Sequence, residues 1–244
     1  MRPASASPAA VVLDWDSAFW GIRVGRVVGD VMTPELAAAI DEWAAENTAS
    51  CVYFLARAED QETVDAAQRA RFRFVDVRLE LDQDIRPVEP APRVRSYDSR
   101  DLEPLRAIAR TSHEITRFYA DPHFSRTRCC ELYDTWIVRS CEEGFADAVL
   151  VADVDGRAVG YVTCDLDDDA RSGSIGLIAV ADSERGAGLG EELVRAALFW
   201  MREHGAVKAA VVTQGANVAA QRTFQRAGFR TSSVNLWFHR WYDR

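Results

Sequence analysis

No stretch of this 244-residue chain approaches the run of about 18 apolar residues that a membrane-spanning helix needs, so a membrane protein is not expected. Positive charge is in deficit: 29 Lys and Arg stand against 38 Asp and Glu, for a formal net charge of −9 and a pI near 5.0. Free nucleic acid calls for a basic face and is therefore not an expected partner. Residues 1–10 are small and polar, without the apolar core of a secretion signal, and read as a loose tail. The five cysteines (Cys51, Cys129, Cys130, Cys141, Cys164) are odd in number and contain no Cys-x-x-Cys. They are expected to be reduced thiols used for packing, in a cytoplasmic protein. The four histidines (His113, His123, His204, His239) lack any recognisable ligand spacing, so no metal site is expected. Two phosphate-binding patterns are also missing. Gly186, Gly188 and Gly190 alternate, with no Gly or Ala at 191, which is not the Gly-x-Gly-x-x-Gly of dinucleotide folds, and no Gly-Lys-Ser/Thr follows.

What is present suffices for a packed core, since 48% of residues are apolar. The clearest boundary lies at residues 82–93, where three prolines in six residues stop both helix and sheet. It divides the chain into an N-terminal domain (11–84), a linker (85–93) and a C-terminal domain (94–244). Before it, the patterning predicts strands at about 24–31, 51–57 and 72–81 and helices at 34–46 and 60–70. Thr33-Pro34 suits a helix start, with Thr as the cap and Pro in the first turn. After it come a strand near 93–97, helices at 101–111 and 127–143, and strands at 147–154, 157–166 and 172–180. A helix at 189–204, a strand at 208–214, a helix at 217–227 and a strand near 230–240 complete the chain. Asp155-Gly156 is a hairpin signal between two of those strands.

A gap-free internal repeat reshapes the first domain. Residues 52–81 slide onto 209–238: Gln68-Arg-Ala-Arg-Phe-Arg73 falls on Gln225-Arg-Ala-Gly-Phe-Arg230, Val77 meets Val234, and Leu79 meets Leu236. The N-terminal domain is accordingly expected to be a partial copy of the C-terminal one.

The most informative segment runs from Ile175 to Arg202. An apolar strand stops at a polar turn, Arg185-Gly-Ala-Gly-Leu-Gly190 follows, and an amphipathic helix begins at once. Glycines let the backbone turn sharply and approach a ligand, and the unpaired N–H groups of the helix's first turn point at it. The helix start favours negative charge, so the turn suits a pyrophosphate, and Arg185 adds forked donors.

Arg-x-x-Gly-x-Gly after such a strand resembles the acetyl-CoA motif of the GCN5-related N-acetyltransferases (GNAT). That family's second signature, Asn-x-x-Ala-x-x-x-Tyr-x-x-x-Gly-Phe, is matched by Asn217, Ala220, Gly228 and Phe229, with Phe224 in place of the tyrosine. The resemblance implies an α/β GNAT fold, a mixed, splayed central sheet flanked by helices, here with a partial GNAT-like N-terminal domain. It also implies acetyl-CoA as donor. Ile178, Ala179, Val180, Arg185, Gly186, Ala187, Gly188, Leu189, Gly190, Asn217 and Phe224 would hold it. Many relatives carry a glutamate base where this chain has Gly176 and a tyrosine acid where it has Phe224.

A narrower resemblance, to TDP-fucosamine acetyltransferase-like enzymes, rests on Leu13-Asp-Trp-Asp-Ser-Ala-Phe-Trp-Gly21 and on Arg117-Phe-Tyr…Tyr133-Asp-Thr-Trp136-Ile137. It implies a nucleotide-linked amino sugar as acceptor, bound against the wall formed by residues 112–136. Candidates there are Arg117, Tyr119, Asp121 and His123 for binding, with His113, Asp121 and Tyr133 for acid–base work. Asp121-Pro122 is equally a turn signal, and Tyr161 reads as core. Asp165 ends a strand and could face the acceptor, while Asp167-Asp-Asp169 reads as a solvated hairpin. Another small amine, an amino acid or antibiotic-like compound, stays open as acceptor. So do a non-catalytic CoA-binding regulatory module and a homodimer.

Overall fold

The computed structural model describes residues 8–167 and 171–242. Along the chain run β1 (Ala10–Val12), α1 (Asp14–Trp20), β2 (Val24–Val27), α2 (Pro34–Glu46), β3 (Cys51–Arg57), α3 (Gln61–Arg69), β4 (Arg73–Asp84) and β5 (Val94–Ser96). Next come α4 (Leu102–Ser112), α5 (Arg117–Ala120), α6 (Arg126–Glu142), β6 (Ala148–Val154), β7 (Arg157–Leu166) and β8 (Ser172–Val180). The last elements are α7 (Leu189–Glu203), β9 (Lys208–Gln214), α8 (Val218–Arg226) and β10 (Arg230–Trp241). The local signals behave as their chemistry requires. Thr33 caps α2 by accepting the Leu36 N–H at 3.1 Å, with Pro34 in the first turn. Asp155 and Gly156, both at positive φ, close the β6–β7 hairpin between Val154 and Arg157. Patterning missed three short elements, β1, α1 and α5, and placed residues 8–10 in a tail, although Ala10 pairs with Val27. Residues 1–7 and 168–169 of the expected tail and hairpin lie outside the described residues.

Two compact units form, Met1–Arg78 with Ser233–Arg244, and Leu79–Ser232. The division falls inside β4 and β10, not in the proline-rich stretch. That stretch belongs to the second unit: the Ile85 N–H bonds the Val207 carbonyl, and Ala91 is buried in the unit's core. In the first unit, β1 runs antiparallel to β2, β2 parallel to β3 through α2, and β3 antiparallel to β10. Ile40, Phe54, Phe72 and Phe238 form its core. In the second unit the strand order is β4-β9-β8-β7-β6-β5. β5 to β8 make an antiparallel meander, and β8 runs parallel to β9 through α7. Leu189, Leu193, Val194, Ala197 and Met201 of α7 pack on one face, against Val162, Cys164, Ile175 and Val211. Helix α4 lies against β7 and β8 and is locked to α6 by Arg106, whose guanidinium grips the Asp134 carboxylate at 2.8 and 3.0 Å.

The repeat is kept to the residue. β3, α3 and β4 begin at 51, 61 and 73; β9, α8 and β10 begin at 208, 218 and 230, each 157 positions later. The caps correspond too: Asp60 accepts the Thr63 N–H, and Asn217 the Ala220 N–H. At the helix ends Arg71 (φ 61°) and Gly228 (φ 101°) both take the left-handed turn. The copies exchange their last strands, since β10 pairs with β3 in one unit and β4 neighbours β9 in the other.

Candidate active site

The ladder between β8 and β9 runs from Ser172↔Lys208 to Ile175↔Val211 and stops, although β8 continues to Val180 and β9 to Gln214. Beyond that point a cleft of about 370 Å³ opens, lined by Ile178, Ala179 and Val180 on one side and by Ala219, Ala220, Thr223 and Phe224 of α8 on another. Its far end is the glycine turn. Gly186 (φ 84°) and Gly188 (φ 82°) take left-handed conformations, and Gly188 caps α7, so the first N–H groups of that helix are presented without side-chain obstruction. A Cβ on Gly186 would meet nothing within 4 Å, so its surface is open to a ligand. The geometry fits a pyrophosphate with an extended arm running toward the strand break.

Arginines line this end, each held by an acid. Arg185 pairs with Asp182 at 2.7 Å, and Arg226 with Glu191 at 2.9 Å. Arg93, from the proline-rich stretch, donates to the Ala187 carbonyl at 3.0 Å and to Glu192 at 2.6 Å, fixing the turn from behind. Of the residues expected at the donor site, all line the cleft except Ala187, whose carbonyl is taken by Arg93, and Asn217, whose side chain caps α8. Glu184, Glu191, Ala219 and Thr223 line it as well and carried no sequence signal of their own, because helix facing decides them. Phe224 is 2% exposed and meets Phe229 edge-on at 5.9 Å, so it serves both the core and the cleft wall.

The expected acceptor wall gathers into two groups. His113 ends α4, stacks on Tyr133 at 4.6 Å and bonds the Tyr161 hydroxyl through Nε2 at 2.8 Å. Burial pulls the His113 pKa down to about 4, so the ring is neutral at pH 7, and the same burial pushes Tyr133 and Tyr161 far above the usual phenol range. Tyr161 is fully buried, as core, but its hydroxyl belongs to this cluster. In the second group Asp121, 1% exposed, accepts from the backbone N–H of His123 at 3.1 Å and lies 2.8 Å from its Nδ1. Arg117 lies over the Phe118 ring at 4.2 Å, and Arg126 over Tyr119 at 5.7 Å, whose phenol burial pushes up to about 12. Among the described residues no cluster of His, Cys, Asp and Glu could hold a metal, and no helix is long and apolar enough to cross a membrane.

A parallel pair that opens at mid-strand, with a glycine turn leading into a helix at its mouth, is the arrangement of the GNAT fold. The model of the Acetyltransferase (GNAT) family matches residues 107–229, just over half of the chain, and the chain belongs to that family. Among curated relatives, the spore coat polysaccharide biosynthesis protein SpsD of Bacillus subtilis is 29% identical over 144 residues, covering 58% of this chain and 48% of that protein. An uncharacterized N-acetyltransferase of Archaeoglobus fulgidus is 28% identical over 142 residues, covering 56% of this chain and 92% of the relative. The chain thus spans about half the length of the first relative and nearly all of the second. A GCN5-related N-acetyltransferase from Sphaerobacter thermophilus superposes with a TM-score of 0.63 at 16% identity, covering 95% of this chain and 76% of that one, which shows the shared fold.

Proposed function

We propose that the chain transfers the acetyl group of acetyl-CoA to a primary amine, and that the amine is carried by a nucleotide-linked amino-deoxysugar. The observation that carries the reading is the cleft running from the glycine turn to the β8–β9 break. Its mouth offers backbone N–H groups and arginines to a pyrophosphate, and its floor offers the strand segment Ile178–Ala179–Val180 to an extended arm. Asn217 and Ala187 act from behind, holding α8 and the turn in place. Held there, the thioester faces an incoming amine as in an intramolecular reaction, which lowers the barrier by about 7–11 kcal/mol in favourable cases.

Arg117, Tyr119, Asp121 and His123 form the acceptor wall. Its aromatic faces and cationic heads suit a base and a diphosphate, and the likeness to SpsD, a spore coat polysaccharide biosynthesis protein, supports a sugar. His113 and Tyr133 flank the acceptor on the acid–base side of this wall, His113 as a neutral hydrogen-bond partner, and Asp121 orients His123. A cytoplasmic homodimer belongs to the same reading, and sedimentation of the purified chain tests its assembly.

The experiment is mass spectrometry of the protein with acetyl-CoA and separate panels of nucleotide amino sugars, amino acids and antibiotic-like amines. A mass gain of one acetyl group on a nucleotide amino sugar supports the reading. Acetylation confined to another panel moves the acceptor class. Binding of acetyl-CoA without transfer to any amine makes the chain a CoA-binding regulatory module.

A further inference from the structure

We infer that Asp165 is the base that takes the proton from the acceptor amine, in place of a side chain that Gly176 lacks. The inference rests on the acetyl-transfer reading above. An alkyl amine is protonated near neutral pH and cannot attack until it loses that proton, so a carboxylate or its equivalent is needed near the reacting carbonyl.

The strand break fixes where that point lies. β8 and β9 part after Ile175, and the cleft lining begins at Ile178. Gly176 and Leu177 occupy the apex between them, within about 7 Å of the lining along the strand. At this apex β8 also bulges. Val162 faces Ile178 and Cys164 faces Ile175, so Thr163 alone opposes Gly176 and Leu177. The Thr163 hydroxyl accepts the Leu177 N–H at 2.7 Å and fixes the bulge.

Gly176 is exposed although it sits in mid-strand, which leaves a notch at the apex. A Cβ there would lie 2.7 Å from Thr163 Oγ1 and 3.3 Å from Asp165 Oδ2. A side chain at 176 would therefore force Thr163 to shift, and the nearest carboxylate to the space it would fill is that of Asp165. Tyr161, Thr163 and Asp165 alternate along β7 onto this face, while Val162 and Cys164 point into the core beneath α7.

Asp165 has the surroundings of a base. Among the described residues no cation pairs with it. Burial and the neighbouring Asp147 carboxylate raise its pKa, against a backbone N–H donated by Asp147, so its affinity for a proton exceeds that of a free aspartate. The step balances. The ammonium gives one proton to the Asp165 carboxylate, and the neutral amine forms the C–N bond as the C–S bond breaks, its electron pair leaving with sulfur. The second amine proton goes to that thiolate, and Asp165 returns its proton to solvent through the notch at Gly176.

The test compares Asp165→Asn with wild type on two probes, a thymidine-diphosphate-linked aminodeoxyhexose and hydroxylamine, which is already neutral at the assay pH. Asp165→Asn is expected to lower kcat on the aminohexose by about 10²-fold, and on hydroxylamine by no more than about threefold. Acetyl-CoA affinity by calorimetry should be unchanged, which also shows that the variant folds. Asp165→Ala should regain part of its aminohexose turnover with added formate. Equal losses on both probes, or a loss below about threefold on the aminohexose, overturn the assignment and turn attention to His113 and Tyr133. Wild type acetylating hydroxylamine alone overturns both the sugar acceptor and the role of Asp165 as its base. Wild type acetylating neither, while binding acetyl-CoA, overturns the transfer reading itself.

Discussion

Arg93 and Ala187 lie 94 residues apart in the chain, and the Arg93 guanidinium donates to the Ala187 carbonyl at 3.0 Å while also gripping Glu192. One side chain from the proline-rich stretch thus fixes the glycine turn to the first turn of α7. Arg93→Ala is expected to weaken CoA binding about tenfold, because a loosened turn must be reordered by the ligand. Arg93→Lys should recover little of it, since an ammonium lacks the fork that reaches both acceptors. Calorimetry with CoA measures both, and unchanged affinity in the alanine variant would show that the turn holds its shape unaided.

Gly188→Glu should abolish CoA binding while the fold survives. The substitution places bulk and negative charge at the helix start, against the pyrophosphate. Gly188→Ala, which carries only the strain of a side chain at φ 82°, should cost about 1 kcal/mol of stability and far less affinity. Similar affinity losses in the two variants would mean that strain alone explains them.

The two helix ends of the repeat predict opposite substitutions. Arg71 holds φ 61° with a side chain, and Arg71→Gly should stabilise the protein by about 1 kcal/mol. Gly228→Ala should destabilise it by about 1–3 kcal/mol, from φ 101° and from a Cβ 2.8 Å from Gln83 Oε1. Denaturant midpoints at constant slope check both.

Phe224→Tyr adds a hydroxyl to a ring that lines the cleft. Turnover should rise or stay level, with CoA affinity within about threefold, because the added donor can protonate the leaving sulfur. A tenfold fall in kcat would show that the hydroxyl points into the core against Phe229.

His113 gives a pH signature in stability. Its folded pKa, near 4, lies below the 6.5 of a free imidazole, so between these the unfolded chain binds the proton and the folded one does not. Stability should therefore fall as pH drops from 6.5 toward 4, and the neutral ring costs nothing above 6.5. His113→Gln should flatten that slope. A wild-type curve already flat over this window would place His113 in contact with solvent.

The signals legible in the sequence were local ones. Asp155-Gly156 demands its turn, Thr33-Pro34 its cap, and the alternation of Gly186, Gly188 and Gly190 its ligand-facing backbone, because each acts through φ and ψ within a few residues. The offset of 157 was equally visible, since strand, helix and strand read alike wherever they recur. The acceptor side was less legible. Sequence could name His113 and Tyr133 but not that one ring stacks on the other, nor that burial keeps the histidine neutral.

The sequence by itself determined the order of the longer elements, the repeat and the glycine turn, all of which follow from short-range backbone preference and hydrophobic period. Only the tertiary structure decided that β4 and β10 change places between the units, because strand pairing joins residues far apart in the chain. It alone decided that the proline-rich stretch serves the second unit, through Ala91 in the core and Arg93 on the turn. It alone brought Asp165 beside Gly176, through a bulge that lets one residue of β7 face two of β8. Proton affinity at Asp165 and His113 depends on what surrounds them once packed, and burial is a property of the assembled fold.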